Sequence, residues 1–238
     1  SRDVLMRGMY AHSYGSIPGG GIHKGKRYLN RVIKGSLHHD KAAIKYFAKL
    51  DVKKCYPSID HEILKEKLRE KFRGRLFLSL AFAVIESYEE MPGKGLPIGY
   101  ATSQWFCNFL LTPLDHFIKQ ELGIKHYVRY MDDMVLAGRN KKKLNKAVYA
   151  ISNHLDEIGL TLKENHQVFR FDYIDKRGKR RGRDLDFLGF RFFRNKTIMR
   201  KRIALSIMRQ VRKIKKARRQ EAKPSSSATA SARTGESR

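Results

Sequence analysis

Two adjacent carboxylates, Asp132 and Asp133, stand between two short runs of β-prone apolar residues, Tyr127-Val128 and Met134-Val135-Leu136. Runs of this kind, separated by so few residues, predict a hairpin with the acids at its tip. Like charges held that close repel each other. Hard divalent cations, which select carboxylate oxygens, relieve the repulsion. The pair alone is weak support for a site, because Asp-Asp more often marks an ordinary solvated turn.

A second acid changes the weighing. Tyr46-Phe47-Ala48-Lys49-Leu50-Asp51-Val52 is a short β-like run ending near a carboxylate, followed by Lys53-Lys54-Cys55-Tyr56-Pro57. Asp51 and Asp132 are far apart in the chain, so only a sheet with the hairpin beside the first strand brings them together. Three carboxylates on neighbouring strands can hold two cations about 3.5–4 Å apart, the arrangement used for in-line phosphoryl displacement.

With these residues in view, the chain resembles a reverse transcriptase from about residue 7 to about residue 205. Leu50-Asp51-Val52 through Tyr56 is similar to the first catalytic motif. Gly95-Leu96-Pro97-Ile98-Gly99-Tyr100-Ala101-Thr102-Ser103-Gln104 is similar to the template-contacting motif. Tyr130-Met131-Asp132-Asp133 resembles the catalytic hairpin, Gly159-Leu160-Thr161-Leu162-Lys163 the motif after it, and Phe187-Leu188-Gly189-Phe190 the primer grip. Any one of the five is weak, but their order and spacing together are strong. Intron-type enzymes carry Gln-Gly and then Ser-Pro in the template motif. Here Ile98-Gly99 and Ser103-Gln104 stand there, a variant that resembles the enzymes of bacterial and phage diversity-generating retroelements, with Tyr100 where those keep Asn.

The resemblance implies an α+β right-hand polymerase fold: a palm with an antiparallel sheet backed by helices, partial fingers and the start of a thumb. The expected organisation is the end of the fingers over 1–45, a palm over 46–200, a basic thumb helix over 201–221 and a disordered tail over 222–238. Against the family pattern the upstream fingers segment is missing and the thumb is short, which implies a piece of a longer protein. Within the palm, the apolar pattern predicts a strand (46–52), helices (60–71, 75–90, 103–121), a hairpin (125–138), a helix (141–159) and strands (166–174, 185–194). A further helix is expected around 22–34. Apolar residues at 144, 147, 148, 151, 155 and 158 match a helical period. Gly159 suits a C-cap and Ser103 an N-cap. The apolar run Leu76–Ile85 is read as a buried helix, being too short to span a bilayer. Gly20 to Arg27 nearly spells a phosphate-binding loop but lacks the closing Ser or Thr. The glycines of Ser13–Gly21, read as a fingers-to-palm connector, permit positive φ and close backbone approach.

Composition points independently to a polyanionic partner. Lys and Arg number 51 against 23 Asp and Glu, a formal net charge of +28. A chain this basic repels itself unless a polyanion neutralises it, and phosphate contacts would make binding salt-sensitive. The charge concentrates at Lys176–Arg183, Arg200–Arg202 and Arg209–Arg219, though any one run alone is ordinarily a solvated face. Cys55 and Cys107 lack metal-like spacing and fit inert packing in a reducing cytoplasm.

By resemblance, Asp51 and Asp132 are metal ligands with the Val52 carbonyl, and Asp133 supports the site or binds a metal more weakly. The cofactors implied are two Mg²⁺, with Mn²⁺ as a substitute. Tyr56 stands where the family excludes a ribose 2′-hydroxyl; a core tyrosine is the alternative. Ile98, Gly99, Ser103 and Gln104 would lie near the template base and nascent pair; an ordinary first-turn helix polar residue is the alternative for Gln104. Lys163 is either a general acid for pyrophosphate or a solvated lysine. Phe187, Leu188, Gly189 and Phe190 hold the primer end or simply pack. The implied function is RNA-directed DNA polymerisation, with adenine-mutagenised cDNA for a diversity-generating retroelement. The alternatives are a group II intron, retron or phage-defence reverse transcriptase, or a truncated RNA-binding module. Implied partners are template RNA, primer or cDNA, dNTPs and a small basic oligomeric accessory protein, with no membrane, in the cytoplasm of a bacterial or phage-infected cell.

Overall fold

The structure, a computed structural model, describes residues 8–38 and 44–221. The expected tail over 222–238 and parts of the expected fingers segment lie outside the described residues. Those described divide into two units, with the boundary between Thr197 and Ile198.

The first unit is built on a four-stranded antiparallel sheet. Its strands are β1 (Tyr46–Asp51), β2 (His126–Tyr130), β3 (Asp133–Gly138) and β4 (Gln167–Arg170), in the order β2-β3-β1-β4. The pleat sends alternate side chains to opposite faces. On one face Ala48, Leu50, Tyr127, Met134 and Leu136 join a core formed with helices. Those helices are α3 (His61–Lys71), α5 (Ala101–His116) and α6 (Lys141–Glu157), together with the short α2 (Cys55–Ser58) and part of α4 (Arg75–Glu86). On the other face Phe47, Val128, Val135, Ala137 and Phe169 form a second core. It is closed by Leu29 and Ile33 of helix α1 (Ile22–His38) and by the hairpin of β7 (Leu185–Phe187) and β8 (Phe190–Phe192). The sheet is therefore covered on both sides.

Several local expectations hold. Leu144, Ala147, Val148, Ile151, Leu155 and Ile158 are all buried, so the 3.6-residue stripe of α6 is its core face. Gly159, at φ 71°, follows the last turn in the left-handed conformation. A cap not foreseen from the sequence is Asp60, which precedes α3 and accepts from the backbone N–H of Glu62 and Ile63.

Four expectations are corrected. Ser103 is not an N-cap: α5 begins at Ala101 after Tyr100, and Ser103 lies inside it, 1% exposed and with its Oγ unpartnered. α4 is not buried: only Ala81 and Ile85 are enclosed, while Leu76 and Leu80 are 76% and 60% exposed. Its apolar residues run around the whole helix, whereas the core takes only one stripe. The expected strand over 166–174 is two. β4 joins the sheet, whereas β5 (Tyr173–Ile174) leaves it to pair with β6 (Arg180–Arg181) as a separate ribbon. The expected strand over 185–194 is the β7–β8 hairpin.

In the second unit, α7 (Lys201–Glu221) follows the short strand β9 (Thr197–Met199) across the boundary. Among the described residues no helix is long and apolar enough to cross a membrane.

The α6 stripe sets a direct test. Ile151→Ala, at a fully buried position, should cost about 2–5 kcal/mol in urea unfolding. Tyr149→Ala, 71% exposed two positions away, should change stability by less than about 0.5 kcal/mol.

Candidate active site

β2 and β3 are joined by a two-residue loop, Met131-Asp132, with Tyr130 paired to Asp133. Met131 has φ 56°, a left-handed conformation that costs a non-glycine residue energy and persists only when its surroundings impose it. The surroundings do so from two sides. Arg129 donates to the Met131 carbonyl at 3.0 Å. The Met131 backbone also rests against Gly15, where a Cβ would come within 2.6 Å of the Met131 nitrogen. The connector glycine thus serves close approach, as its sequence context suggests.

Arg129 is fully buried and charged, and its partners account for it. Nε and Nη2 donate to the two carboxylate oxygens of Asp115 on α5, at 2.8 and 2.6 Å. Nη1 donates to Asn108 Oδ1 at 2.8 Å, and Asn108 in turn donates to the Gly15 carbonyl at 2.9 Å. Tyr127 OH donates to Asp115 at 2.7 Å. The Arg129 backbone pairs with His12 and Tyr14, so the connector runs along the open edge of β2. One ion pair therefore ties α5, the connector and the acidic turn together. Arg129, Asp115 and Asn108 lie outside the residues singled out from the sequence motifs. The signals were a lone arginine inside an apolar strand and two polar residues seven apart in an apolar helix.

The register does what the sequence demanded. Asp51 at the end of β1 lies directly opposite Asp133 on β3, and Asp132 sits in the adjoining turn. Burial, then the charge of Asp51, pushes the Asp133 carboxyl above its ordinary pKa, and the same two effects raise that of Asp132. Lys163 answers part of this charge. Its backbone N–H donates to the Asp51 carbonyl at 2.8 Å, and its ammonium forms an ion pair with Asp51 Oδ2. That bond raises the lysine's pKa and keeps it protonated. The backbone pairing of 51–53 with 161–163 uses the Asp51 and Thr161 carbonyls. Alternation along the strand turns the Val52 carbonyl to the opposite side, where the hairpin lies.

The donor set fits hard cations. Asp51 Oδ1 is buried without a hydrogen-bond partner beside two further carboxylates. Among the described residues no three His, Cys, Asp or Glu side chains are grouped closely enough to hold a metal ion between them. Magnesium needs no such group: it is commonly held by one or two carboxylates and completed by water and substrate phosphates.

The other expected residues gather unevenly. Tyr56 is half-buried, and burial and then the neighbouring Cys107, Cys55 and Asp132 raise its pKa. Its carbonyl accepts from Leu96, which anchors the 95–104 segment beside it. Ile98 is 76% exposed, and Gly99 is also exposed; Gln104 accepts a hydrogen bond from Ser16 of the connector. Phe187 and Phe190 are core residues on the same sheet face as Asp51 and Asp133, and Lys26 of α1 lies over the Phe190 ring. Leu188 packs against Gly25 of α1. Cys55 and Cys107 are free and buried, with sulfurs 3.4 Å apart.

Residues 4–192 match the family model described as reverse transcriptase (RNA-dependent DNA polymerase). The retron Ec73 reverse transcriptase of Escherichia coli is 28% identical over 152 residues, 59% of this chain and 48% of that protein. A putative COX1/OXI3 intron 1 protein of Saccharomyces cerevisiae is 24% identical over 86 residues, 33% of this chain and 10% of that protein. Telomerase from Candida albicans, solved in complex with a TWJ fragment of telomeric RNA, superposes with a TM-score of 0.59 at 18% identity. It covers 84% of this chain and 37% of the telomerase. Apo telomerase from Candida tropicalis gives 0.57 at 16% identity, over 83% of this chain and 39% of that one. The chain thus spans about half the length of the retron enzyme and less of the telomerases, and the structural likeness is one of fold.

Two measurements test this site. Arg129→Met strands the Asp115 charge and should cost about 3–5 kcal/mol in denaturant unfolding. Adding Asp115→Leu should restore most of that stability, while amide exchange at Met131 and Asp132 stays faster than in the parent, because the donor to the Met131 carbonyl is still gone. The second concerns pH. Asp132 has a folded pKa above its unfolded value of about 3.8, so the folded chain holds that proton more tightly. The ionised carboxylate therefore destabilises the metal-free fold above the folded pKa, and the penalty fades as pH falls through it. Asp132→Asn should melt higher than the parent at neutral pH without metal, and the gain should vanish on acidification toward pH 3.8.

Proposed function

The chain belongs to the reverse transcriptase (RNA-dependent DNA polymerase) family, and on that premise we propose that it copies a template RNA into DNA. The observation that carries the proposal is the register of Asp51 against Asp133, with Asp132 in the adjoining turn. That register brings acids from two distant motifs to the same end of the sheet. Asp51, Asp132 and the Val52 carbonyl would hold the cations, with Asp133 in support. When bound, two magnesium ions lower the pKa of the primer 3′-hydroxyl and neutralise the triphosphate and departing pyrophosphate.

The remaining roles belong to the chain. Lys163 holds an ammonium proton beside Asp51, where the departing pyrophosphate needs one. Tyr56, anchored next to the template segment and near Asp132, would press against the sugar and exclude a 2′-hydroxyl. The 98–104 segment, tied to the connector through Gln104 and Ser16, would meet the template base. The β7–β8 turn would hold the primer end. Fingers, palm and thumb over 1–45, 46–200 and 201–221 are part of this proposal.

The finer reading is a diversity-generating retroelement enzyme. It is supported by Ile98, an exposed apolar side chain where related enzymes present an amide. Loss of a polar contact to the template weakens discrimination, because buried polar partners reject mismatches more strongly than apolar ones do. Likeness to a retron enzyme favours the second reading, a retron-type reverse transcriptase with an even error spectrum.

RNA-templated primer extension with magnesium and dNTPs decides among these. Extension by the parent chain that disappears in Asp132→Ala is the expected result; absence of extension with RNA binding retained would reduce the chain to a binding module. In the sequenced cDNA, errors clustered at template adenines, and reduced in Ile98→Gln, are expected for the finer reading. An even spectrum, unchanged in that variant, overturns it.

A further inference from the structure

The β5–β6 ribbon has no part in the chemistry above, and its construction calls for an explanation. Six of the eight residues from Lys176 to Arg183 are basic and none is acidic. A floppy solvated run would be unremarkable, but this one is braced. Asp172, 4% exposed, accepts two 2.6 Å bonds from the Arg180 guanidinium and a third, at 2.9 Å, from the Arg194 backbone. Those partners hold its carboxyl below the usual carboxylate pKa, Arg180 first among them. Arg194 also donates to the Asp172 and Ile44 carbonyls, at 2.7 and 2.8 Å, fastening the ribbon's base to the chain just before β1. The turn is organised by Asp175, whose carboxylate accepts from the Arg177 and Lys179 backbones at 3.0 and 2.9 Å.

This bracing uses Arg180 against Asp172 and Arg181 against Asp175. Lys176, Arg177 and Lys179 are exposed, and their side chains have no ion-pair partner among the described residues. Three cations are thus presented together on a pre-ordered turn, so their mutual repulsion is built in and calls for a polyanion.

The ribbon's place separates it from the carboxylates. β4 hands the chain to β5 at Arg170, whose partner is Tyr46, the first residue of β1; Asp51 is the last. Five residues of extended strand put roughly 16 Å between that point and the acidic end of the sheet.

We infer that the turn Lys176–Lys179 is a second nucleic-acid site, outside the catalytic centre, that grips the phosphate backbone of duplex RNA. Only the choice of RNA rests on the polymerase reading. Phosphates suit the tip better than a bilayer does, because the ribbon offers a single strongly exposed apolar side chain, Ile174, for insertion. Recognition is by shape and charge, since the A-form major groove is too narrow for side chains to read.

The test is fluorescence anisotropy of a blunt RNA duplex, which offers no template overhang, titrated at several salt concentrations. The parent is compared with a triple variant, Lys176→Gln, Arg177→Gln and Lys179→Gln. Each lost phosphate contact should flatten the slope of log K against log salt by about 0.9, so the triple variant should lose roughly 2–3 from it. Restoring charge with Lys176→Arg and Lys179→Arg in an otherwise native chain should keep the parent slope. An unchanged slope in the triple variant overturns the inference. So does a variant that keeps its RNA slope but no longer binds vesicles containing phosphatidylserine. Should the triple variant melt early, single Lys176→Gln and Lys179→Gln chains carry the same comparison. Because the duplex cannot be extended, a chain that fails to polymerise but still shows the slope change refutes the polymerase reading alone.

Discussion

The ion pair between Arg129 and Asp115 is the contact on which the acidic turn depends. Both side chains are fully enclosed, and a buried pair of this kind contributes little net stability compared with an apolar replacement. Its value is positional. A guanidinium has five donors in fixed directions, and here they reach Asp115, Asn108 and the Met131 carbonyl at once. Apolar packing has no comparable directionality and would not hold Met131 in a left-handed conformation. The pair converts the burial of one helix into the geometry of a two-residue loop.

That loop sits at the end of a sheet whose two faces are both covered, which explains how the molecule tolerates the charge it collects. Cross-strand acids such as Asp51 and Asp133 repel, and burial adds to the cost. The core on either side, from Leu50 and Met134 to Phe47 and Val135, holds the strands in register regardless. Lys163 offsets part of the repulsion through an ion pair on a backbone-paired segment. The strain resides where chemistry needs it, and the hydrophobic layers supply the stability that makes it affordable.

Much of this was legible in the sequence wherever local pattern and final environment agree. The α6 stripe from Leu144 to Ile158, the Gly159 terminus and the two-strand reading around Asp132 and Asp133 follow from periodicity and turn chemistry, and the structure repeats them. Legibility failed where the environment lies elsewhere in the chain. Ser103 looks like a cap, but the helix starts two residues earlier. Leu76 to Ile85 is apolar enough to be buried, yet the core offers α4 only one stripe. The break between Arg170 and Tyr173 is invisible in a run of β-prone residues, because it depends on β1 ending its pairing at Tyr46.

By itself the sequence determined the elements that carry the acids, the order of the motifs and hence the family, and the surplus of positive charge. These are properties of short windows or of composition, set by backbone sterics, side-chain periodicity and ionisation. Only the tertiary structure decided that Asp51 faces Asp133, that Lys163 is bound to Asp51 rather than solvated, and that Arg129 is a buried clamp. It also decided that one basic run is a rigid ribbon. Each of these joins residues that are separated in the chain but adjacent in space. Strand register and burial are settled jointly by the whole core, so no window short enough to be read locally contains them.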